Sequence, residues 1–386
     1  MSKDIHADPA RRHDFVLLFD VENGNPNGDP DAGNLPRVDP ETMHGIITDV
    51  CLKRKVRDYL QMTKNIPIFI QSETALNTLI SKAARDVGAE FPQIEIKIEE
   101  DKDDDVIQWF SEHDPFELHE DKLSYYGDSF KQKDIKENFN EVEDSDLKKK
   151  LKPYAKQLAD SVKKKKLNEG DRNETKQKLI EERYDIRMFG AVLSTGLNAG
   201  QVRGPVQFTF AKSVDPIFRL DNAITRKAIT KESDKKRKET EMARKPTVPY
   251  ALYVAHGFYN PYFALEPNDP DKYKVSEDDL SSLWESLEWM FNNDTAAARG
   301  KMATRGLYVF SHDNMRGNAP SHKLFSRITV EKNNKDDKKK KGDPARNFDD
   351  YKVIIDDKKL KELNINLKKL VHEEEDNEVT PNDQPK

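Results

Sequence analysis

The chain has one cysteine, Cys51, which excludes an internal disulfide and any zinc site built from several cysteines. No apolar run approaches the ~20 residues that span a bilayer. The opening MSKDIHADPARRHD has no signal-peptide apolar core, so a soluble, cytoplasmic protein with no membrane partner is expected. Apolar residues are also scarce: they make up 35% of 386 positions, and the glycines raise this only to about 39%, below the usual ~45–50%. One compact globule is therefore not expected, whereas a smaller core with charged appendages is. The nine histidines form no HExxH pair, no Gly-Lys-Ser/Thr loop occurs, and no nucleophile elbow is present. Internal repeats are absent too.

Charge is abundant but unevenly spread. Residues 99–146 carry 18 Asp/Glu against five Lys/Arg, and the tail 373–386 carries six acids and one Lys. With a total of −6, the remainder is left at +12, so the acidic sum does not argue against a polyanionic partner. Within that remainder, 184–256 holds 13 Lys/Arg and seven Asp/Glu. The runs Lys163–Lys166 and Lys338–Lys341 read as solvated faces or loops, and the tail 373–386 as disordered.

Phe15–Asp20 (FVLLFD) is an unbroken apolar run, as in a strand buried on both faces. A polar loop rich in Asn-Gly, Asn-Pro and Asp-Pro follows. Asp39, Pro40 and Glu41 then supply a cap, a first helical position and a first-turn acid, so a helix is expected from about residue 39 to Leu60. Ile66–Gln71 reads as a strand, and 73–183 as a mostly helical insertion with an apolar patch around Trp109–Phe110 and Tyr125–Tyr126. Strand signals resume at 204–214 and 248–259, followed by a helix over Asp278–Asn292 and a strand over 305–312. His322–Glu331 and Asp350–Asp356 are further strand candidates that would extend the sheet or cover an edge. Strand, helix, strand, strand, helix, strand is the ferredoxin-like order, so the expected class is α+β.

Three segments carry candidate ligand contacts. On the expected helix, Lys53, Arg54 and Arg57 fall where Met43, Ile46, Ile47 and Val50 lay one turn earlier. That switch of face implies that its second half leaves the core on the basic side and offers Lys53 and Arg57 to successive phosphates. The segment STGLNAGQVRGPVQ sets Gly196, Gly200 and Gly204 around Gln201 and Arg203, where glycines permit close approach and Arg203 can grip a phosphodiester. Between two strands, LDNAITRK…ARKPTV alternates apolar and polar residues like a protruding hairpin carrying Arg226, Lys227, Lys231, Arg244 and Lys245. The loop acids Asp20, Glu22, Asp29, Asp31 and Asp39 allow a competing reading, a metal-dependent ribonuclease using residues 20–39. The calcium-loop pattern fails there, because the sixth residue counted from Asp20 is Asn25 instead of Gly. No cofactor or metal is expected, and the favoured reading is a non-catalytic binder.

The blocks FVLLFDVENGNPNGDPDAGNLPRVDPETMHGIITDVCLKRKVRDYL, YDIRMFGAVLSTGLNAGQVRGPVQFTFAKSVDP, ARKPTVPYALYVAHGFYNP and RGLYVFSHDNMRGNAPSHKLF occur in this order. Together they resemble the Cas-seven family, the backbone subunit of the CRISPR Cascade complex, in its type I-C form. The resemblance implies an RRM-like palm over 13–72 and 184–331, with a helical finger insertion over 73–183 and a thumb hairpin over 214–248. A C-terminal extension with a possible strand would occupy 332–372. It also implies polymerisation of copies along a CRISPR RNA, whose bases stay exposed for pairing with target DNA. Partners would be the large, small and RNA-processing subunits and a recruited helicase-nuclease. By the same resemblance Thr48, Lys53, Arg54 and Arg57 meet guide phosphates and Asn25 and Asn27 lie in a loop near the guide. Gln201, Arg203, Arg226, Arg244 and Lys245 complete the RNA-binding set. Two departures from the family are the longer, more charged region 99–182 and the lysine-rich linker 333–346.

Overall fold

In the computed structural model, the run Phe15–Asp20 is the middle of a twelve-residue strand, β1 (His13–Gly24), buried at every position through Val21. The structure describes residues 4–96, 103–119, 121–139, 142–162, 167–227, 241–266, 269–333 and 343–370. The chain divides into two compact units. One comprises Met1–Lys64, Val206–Tyr262 and Val275–Lys386; the other comprises Asn65–Pro205 with Phe263–Lys274. The second unit is thus wider than the expected insertion 73–183. The lysine runs 163–166 and 338–341, Lys231 and the tail 373–386 lie outside the described residues.

The first unit continues with β2 (His44–Ile47), α1 (Asp49–Lys64), β3 (Val206–Phe208), β4 (Ala211–Pro216) and β5 (Leu220–Arg226). Then come β6 (Glu241–Tyr259), α2 (Glu277–Asn293), β7 (Lys301–Ser311) and β8 (Asn366–Leu370). The main sheet runs β8-β7-β1-β6-β4-β2, with β3 and β5 also pairing with β6. Both edges of β1 are bonded, Leu17 lying opposite Ala255 on one side and Leu307 on the other, both antiparallel. Alternation along β1 sends odd residues to one face, where Phe15 meets Trp284 edge-on at 5.3 Å and Phe19 stacks on Phe291 at 4.9 Å. Val16 and Leu18 point the other way, into a cluster with Leu324, Ile328, Leu360 and Ile365. Each of these full burials stabilises by about 1.5–3 kcal/mol relative to exposure. A core on each face is why the run is continuously apolar rather than alternating.

Helix α2 begins at a capping box in which Ser276 Oγ accepts from the Asp279 N–H and the Asp279 carboxylate accepts from the Ser276 N–H. Beside it, Tyr59 of α1 donates to Glu285 at 2.9 Å and Lys64 pairs with the same carboxylate at 2.6 Å.

Several expectations need correction. The helix expected from residue 39 starts ten residues later. Asp39 instead closes a turn, its carboxylate accepting from the Glu41 N–H at 3.0 Å, and Met43 sits at φ 58°. His44–Ile47 is a strand paired with β4. The reason is a sheet edge: the β-branched Ile46 and Ile47 fit a pleated surface, and Gly45 lets the backbone press against Tyr253. Ile66–Gln71 is not a strand, because the Asp185 carboxylate takes the N–H groups of Phe69 and Ile70, at 2.7 and 3.0 Å. The insertion is mostly helical among the described residues but also holds strands that were not foreseen. Its Gln93–Glu95, Phe116–His119 and Lys122–Tyr125 form a small sheet over a core containing Trp109, Phe110 and Tyr125. His322–Glu331 opens as a helix, Ser321–Phe325. Ile328–Lys332 then pairs with Tyr351–Ile355 as a separate hairpin, while the unforeseen β8 extends the main sheet beyond β7.

Candidate nucleic-acid interface

The start of α1 is built by two of the expected loop and helix residues. The Asn27 side-chain oxygen accepts from the Thr48 N–H at 3.0 Å and from its hydroxyl at 3.1 Å. Thr48 in turn lends its carbonyl to the N–H groups of Cys51 and Leu52, at 3.1 and 3.3 Å. Asp49 in the first turn complements the positive end of the helix. Asn25 is a brace: its amide nitrogen donates to the Asn34 carbonyl at 2.7 Å, and its backbone N–H to Ala298 at 2.8 Å.

Along α1 the cations do not all face outward. Lys53 is 9% exposed and Arg57 8%, so the expectation that the helix leaves the core on its basic side is corrected. Both stand at the flank of the buried sector that includes Leu52, Val56 and Leu60, with their aliphatic stems packed. The Lys53 ammonium reaches Asp49 at 3.0 Å, one turn earlier, and Gln207 of β3 at 3.3 Å. Arg54 turns to the open side and pairs with Asp58 at 2.6 Å. Of these three cations Arg54 is therefore the most open, while the Lys53 ammonium is already engaged by the Asp49 carboxylate.

The hairpin of β5 and the N-terminal stretch of β6 has Leu220 opposite Thr247 and Arg226 opposite Glu241. Nearly every β5 residue is exposed, as suits an arm rather than a core strand. Residues directly opposite share a face, so Arg226 and Lys245 lie on the face that also carries Asn222 and Ile224. Arg244 is on the opposite face, paired with Asp221. The arm thus carries two chemically different sides, which the sequence reading did not separate.

In the second unit, Gly190–Leu193 and Gly200–Arg203 form a two-stranded ribbon with Gly190 opposite Arg203 and Val192 opposite Gln201. Ala191, Val202 and Leu193 pack inward against the unit's core. Val192, Gln201 and Arg203 form the open side, so the two expected site residues share a face. Gly190 has φ 80°, and a Cβ there would lie 2.4 Å from the Val202 carbonyl oxygen, so close strand approach requires glycine. The Arg203 guanidinium carbon sits 4.0 Å from the centroid of the Phe263 ring. Sequence reasoning missed Phe263 and Gln207, since no spacing pattern links either to the cation it touches.

The loop acids are engaged separately. Asp20 accepts from Arg305 at 2.8 Å and from the Tyr250 hydroxyl at 3.0 Å, and burial raises its pKa despite that cation. Asp29 pairs with Arg37 at 3.4 Å and accepts from the Asp31 N–H at 3.2 Å. Among the described residues no three His, Cys, Asp or Glu side chains converge as metal ligands. Among them, too, no helix is long and apolar enough to cross a membrane.

Comparison with known proteins adds the family. A CRISPR-associated protein Cas7 from Haloferax volcanii is 40% identical over 76 residues, which cover 20% of this chain and 22% of that relative. The match therefore spans only about a fifth of the relative's length. Two solved chains share 15% and 12% identity with this chain. One comes from a pre-nicking CRISPR RNA-guided surveillance complex, at TM-score 0.40 over 78% of each chain. The other comes from a CRISPR RNA-guided surveillance complex, at 0.36 over 78% of this chain and 75% of that one. The family model described as CRISPR-associated protein Cas7 matches residues 11–114 and 125–356. With most of its length under that model, this chain belongs to the Cas7 family.

Proposed function

We propose that this chain is the CRISPR-RNA-binding backbone subunit of a type I-C surveillance complex. Copies of it polymerise along the guide and leave its bases free to pair with target DNA. The observation that carries this reading is the family match across both halves of the chain. The fold supports it. The four long sheet elements β1, β4, β6 and β7 stand in the order fourth, first, third, second, every neighbour antiparallel, with α1 and α2 in the connections. That order supports the reading of a ferredoxin-like palm. The β5–β6 arm is the thumb and the unit centred on Asn65–Pro205 supplies the finger. Basic side chains on α1, the ribbon and the arm meet phosphates, while base pairing carries the sequence choice. The large, small and RNA-processing subunits and a recruited helicase-nuclease are the remaining partners.

The test is to purify the protein and record its absorbance ratio and size-exclusion mass before and after RNase. Co-purifying RNA with large species that collapse on digestion is the expected result. An RNA-free monomer that ignores added CRISPR RNA at low salt overturns the reading, and filaments indifferent to RNase would make it a self-assembly protein instead. The subunit is proposed to be non-catalytic. Labelled RNA incubated with the protein and Mg²⁺ or Mn²⁺ should stay intact; cleavage abolished by Asp29→Ala would make it a metal-dependent ribonuclease acting through residues 20–39.

A further inference from the structure

We propose that Phe263 is a positioning residue for nucleic-acid binding: its ring holds the Arg203 guanidinium flat, with its N–H edge turned to a backbone phosphate. The proposal rests on the RNA-binding reading above and adds a residue that reading does not contain. Arg203 ends a short strand on the open side of the ribbon, directly across from Gly190, which has no side chain to crowd it. Its guanidinium lies 4.0 Å from the Phe263 ring centroid, within the range of a cation–π contact. Among the described residues, the Arg203 side chain makes no hydrogen bond and no ion pair. Arg12, Arg37, Arg54, Arg244 and Arg305 behave differently, each spending donors on an aspartate.

A guanidinium carbon 4.0 Å from a ring centroid, with its donors unspent, is placed to stack on that ring. The ring fixes the plane and limits the rotamers, so the loss of side-chain freedom is met before a ligand arrives. Stacking uses the π-face and leaves the in-plane N–H groups for an acceptor. Two parallel N–H groups match two non-bridging phosphate oxygens, which gives bidentate geometry without reading any base. Gln201, two residues earlier on the same open side, adds an amide beside that position.

The experiment measures binding of a fluorescein-labelled single-stranded RNA oligonucleotide across a salt series. The full-length proteins compared are the unaltered chain, Arg203→Ala, Phe263→Leu, Phe263→Tyr and the Arg203→Ala/Phe263→Leu pair, with circular dichroism melts run alongside. Arg203→Ala should weaken binding about tenfold, as for a lost hydrogen bond to a charged group. Its log–log salt slope should fall by about 0.7, one single-strand phosphate contact. Phe263→Leu should weaken binding about two- to fivefold with the slope kept, because the charge remains but is no longer held. Phe263→Tyr should bind like the unaltered protein, and Phe263→Leu should cost nothing further once Arg203 is alanine. An effect of Phe263→Leu that persists in the Arg203→Ala background, or no effect at all, overturns the positioning role. An inert Arg203→Ala in a protein that still binds RNA overturns it too, and leaves the backbone-subunit reading standing. Failure of the unaltered protein to bind RNA sinks both.

Discussion

His13 lies at the centre of a buried polar cluster. Its Nε2 is 2.9 Å from the Asp8 carbonyl oxygen, which can only accept, so Nε2 carries the proton and Nδ1 accepts from the Ser311 hydroxyl at 2.8 Å. His6 Nδ1, 2.7 Å from the same oxygen, must then donate to it. Burial lowers the His13 pKa to about 4, partly opposed by the Asp8 carbonyl. Above about pH 6.5 the ring is neutral folded or unfolded and contributes no pH dependence. Between about 6.5 and about 4 the unfolded chain takes up a proton that the folded chain refuses, so stability falls with pH by on the order of 3 kcal/mol. Urea unfolding across that window should show the loss, and His13→Gln should show a shallower one. Equal slopes for the two proteins would remove His13 as the cause. The sequence marks this histidine only as lying two residues before an apolar run. The two partners that fix its protonation lie five residues and nearly three hundred residues away, and only the second strand pairing brings Ser311 to it.

At the scale of elements, the main strands and α2 were legible because their patterns are dictated by burial: continuous for β1, spaced by three and four for α2. The beginning of α1 was not. Asp39, Pro40 and Glu41 are sound helix-start residues, but a local signal of about 1 kcal/mol yields to several ladder hydrogen bonds at an open sheet edge. Gly45 marks the outcome: a Cβ there would lie 2.5 Å from the Tyr253 hydroxyl and 3.0 Å from Ile217. Gly45→Ala should therefore destabilise by about 1–3 kcal/mol, read from the urea midpoint, and an unshifted midpoint would mean that β2 does not press on Tyr253. Burial of Lys53 and Arg57 was illegible for the same reason, since the helical frame used to judge their face began in the wrong place. Both remain candidates for phosphate contact, and Lys53→Ala with Arg57→Ala should lower the salt slope of RNA binding by up to about 1.4. An unchanged slope takes α1 out of the interface. On the arm, Arg226→Ala with Lys245→Ala removes charge from one face, whereas Arg244→Ala removes a partner of Asp221. The first pair should weaken RNA binding more than the single change does, and the reverse ranking would assign the RNA to the other face.

At the scale of the whole molecule, the segregation of charge was legible by counting, while the division into two units was only partly so. The second unit gathers Phe263–Lys274 from far along the chain, and nothing in composition announces that return. Deleting 373–386 removes a net charge of −5 and should raise RNA affinity at low salt, with the gain fading as added salt shortens the Debye length to about 10 Å near 0.1 M. An affinity that is the same with and without the tail at low salt would show that those charges stay far from the bound strand. Within the first unit, the path of mechanical load follows from β6, a single strand of 19 residues. Its N-terminal stretch forms the arm with β5, and the rest lies between β1 and β4 in the sheet. Tension applied at the arm acts along the strand axis, so the β1–β6 ladder is loaded in shear and many bonds must fail together. A hinge at the arm's base would instead let them break in succession. The arm is therefore stiff where it joins the sheet, and any bending under load must be taken up elsewhere.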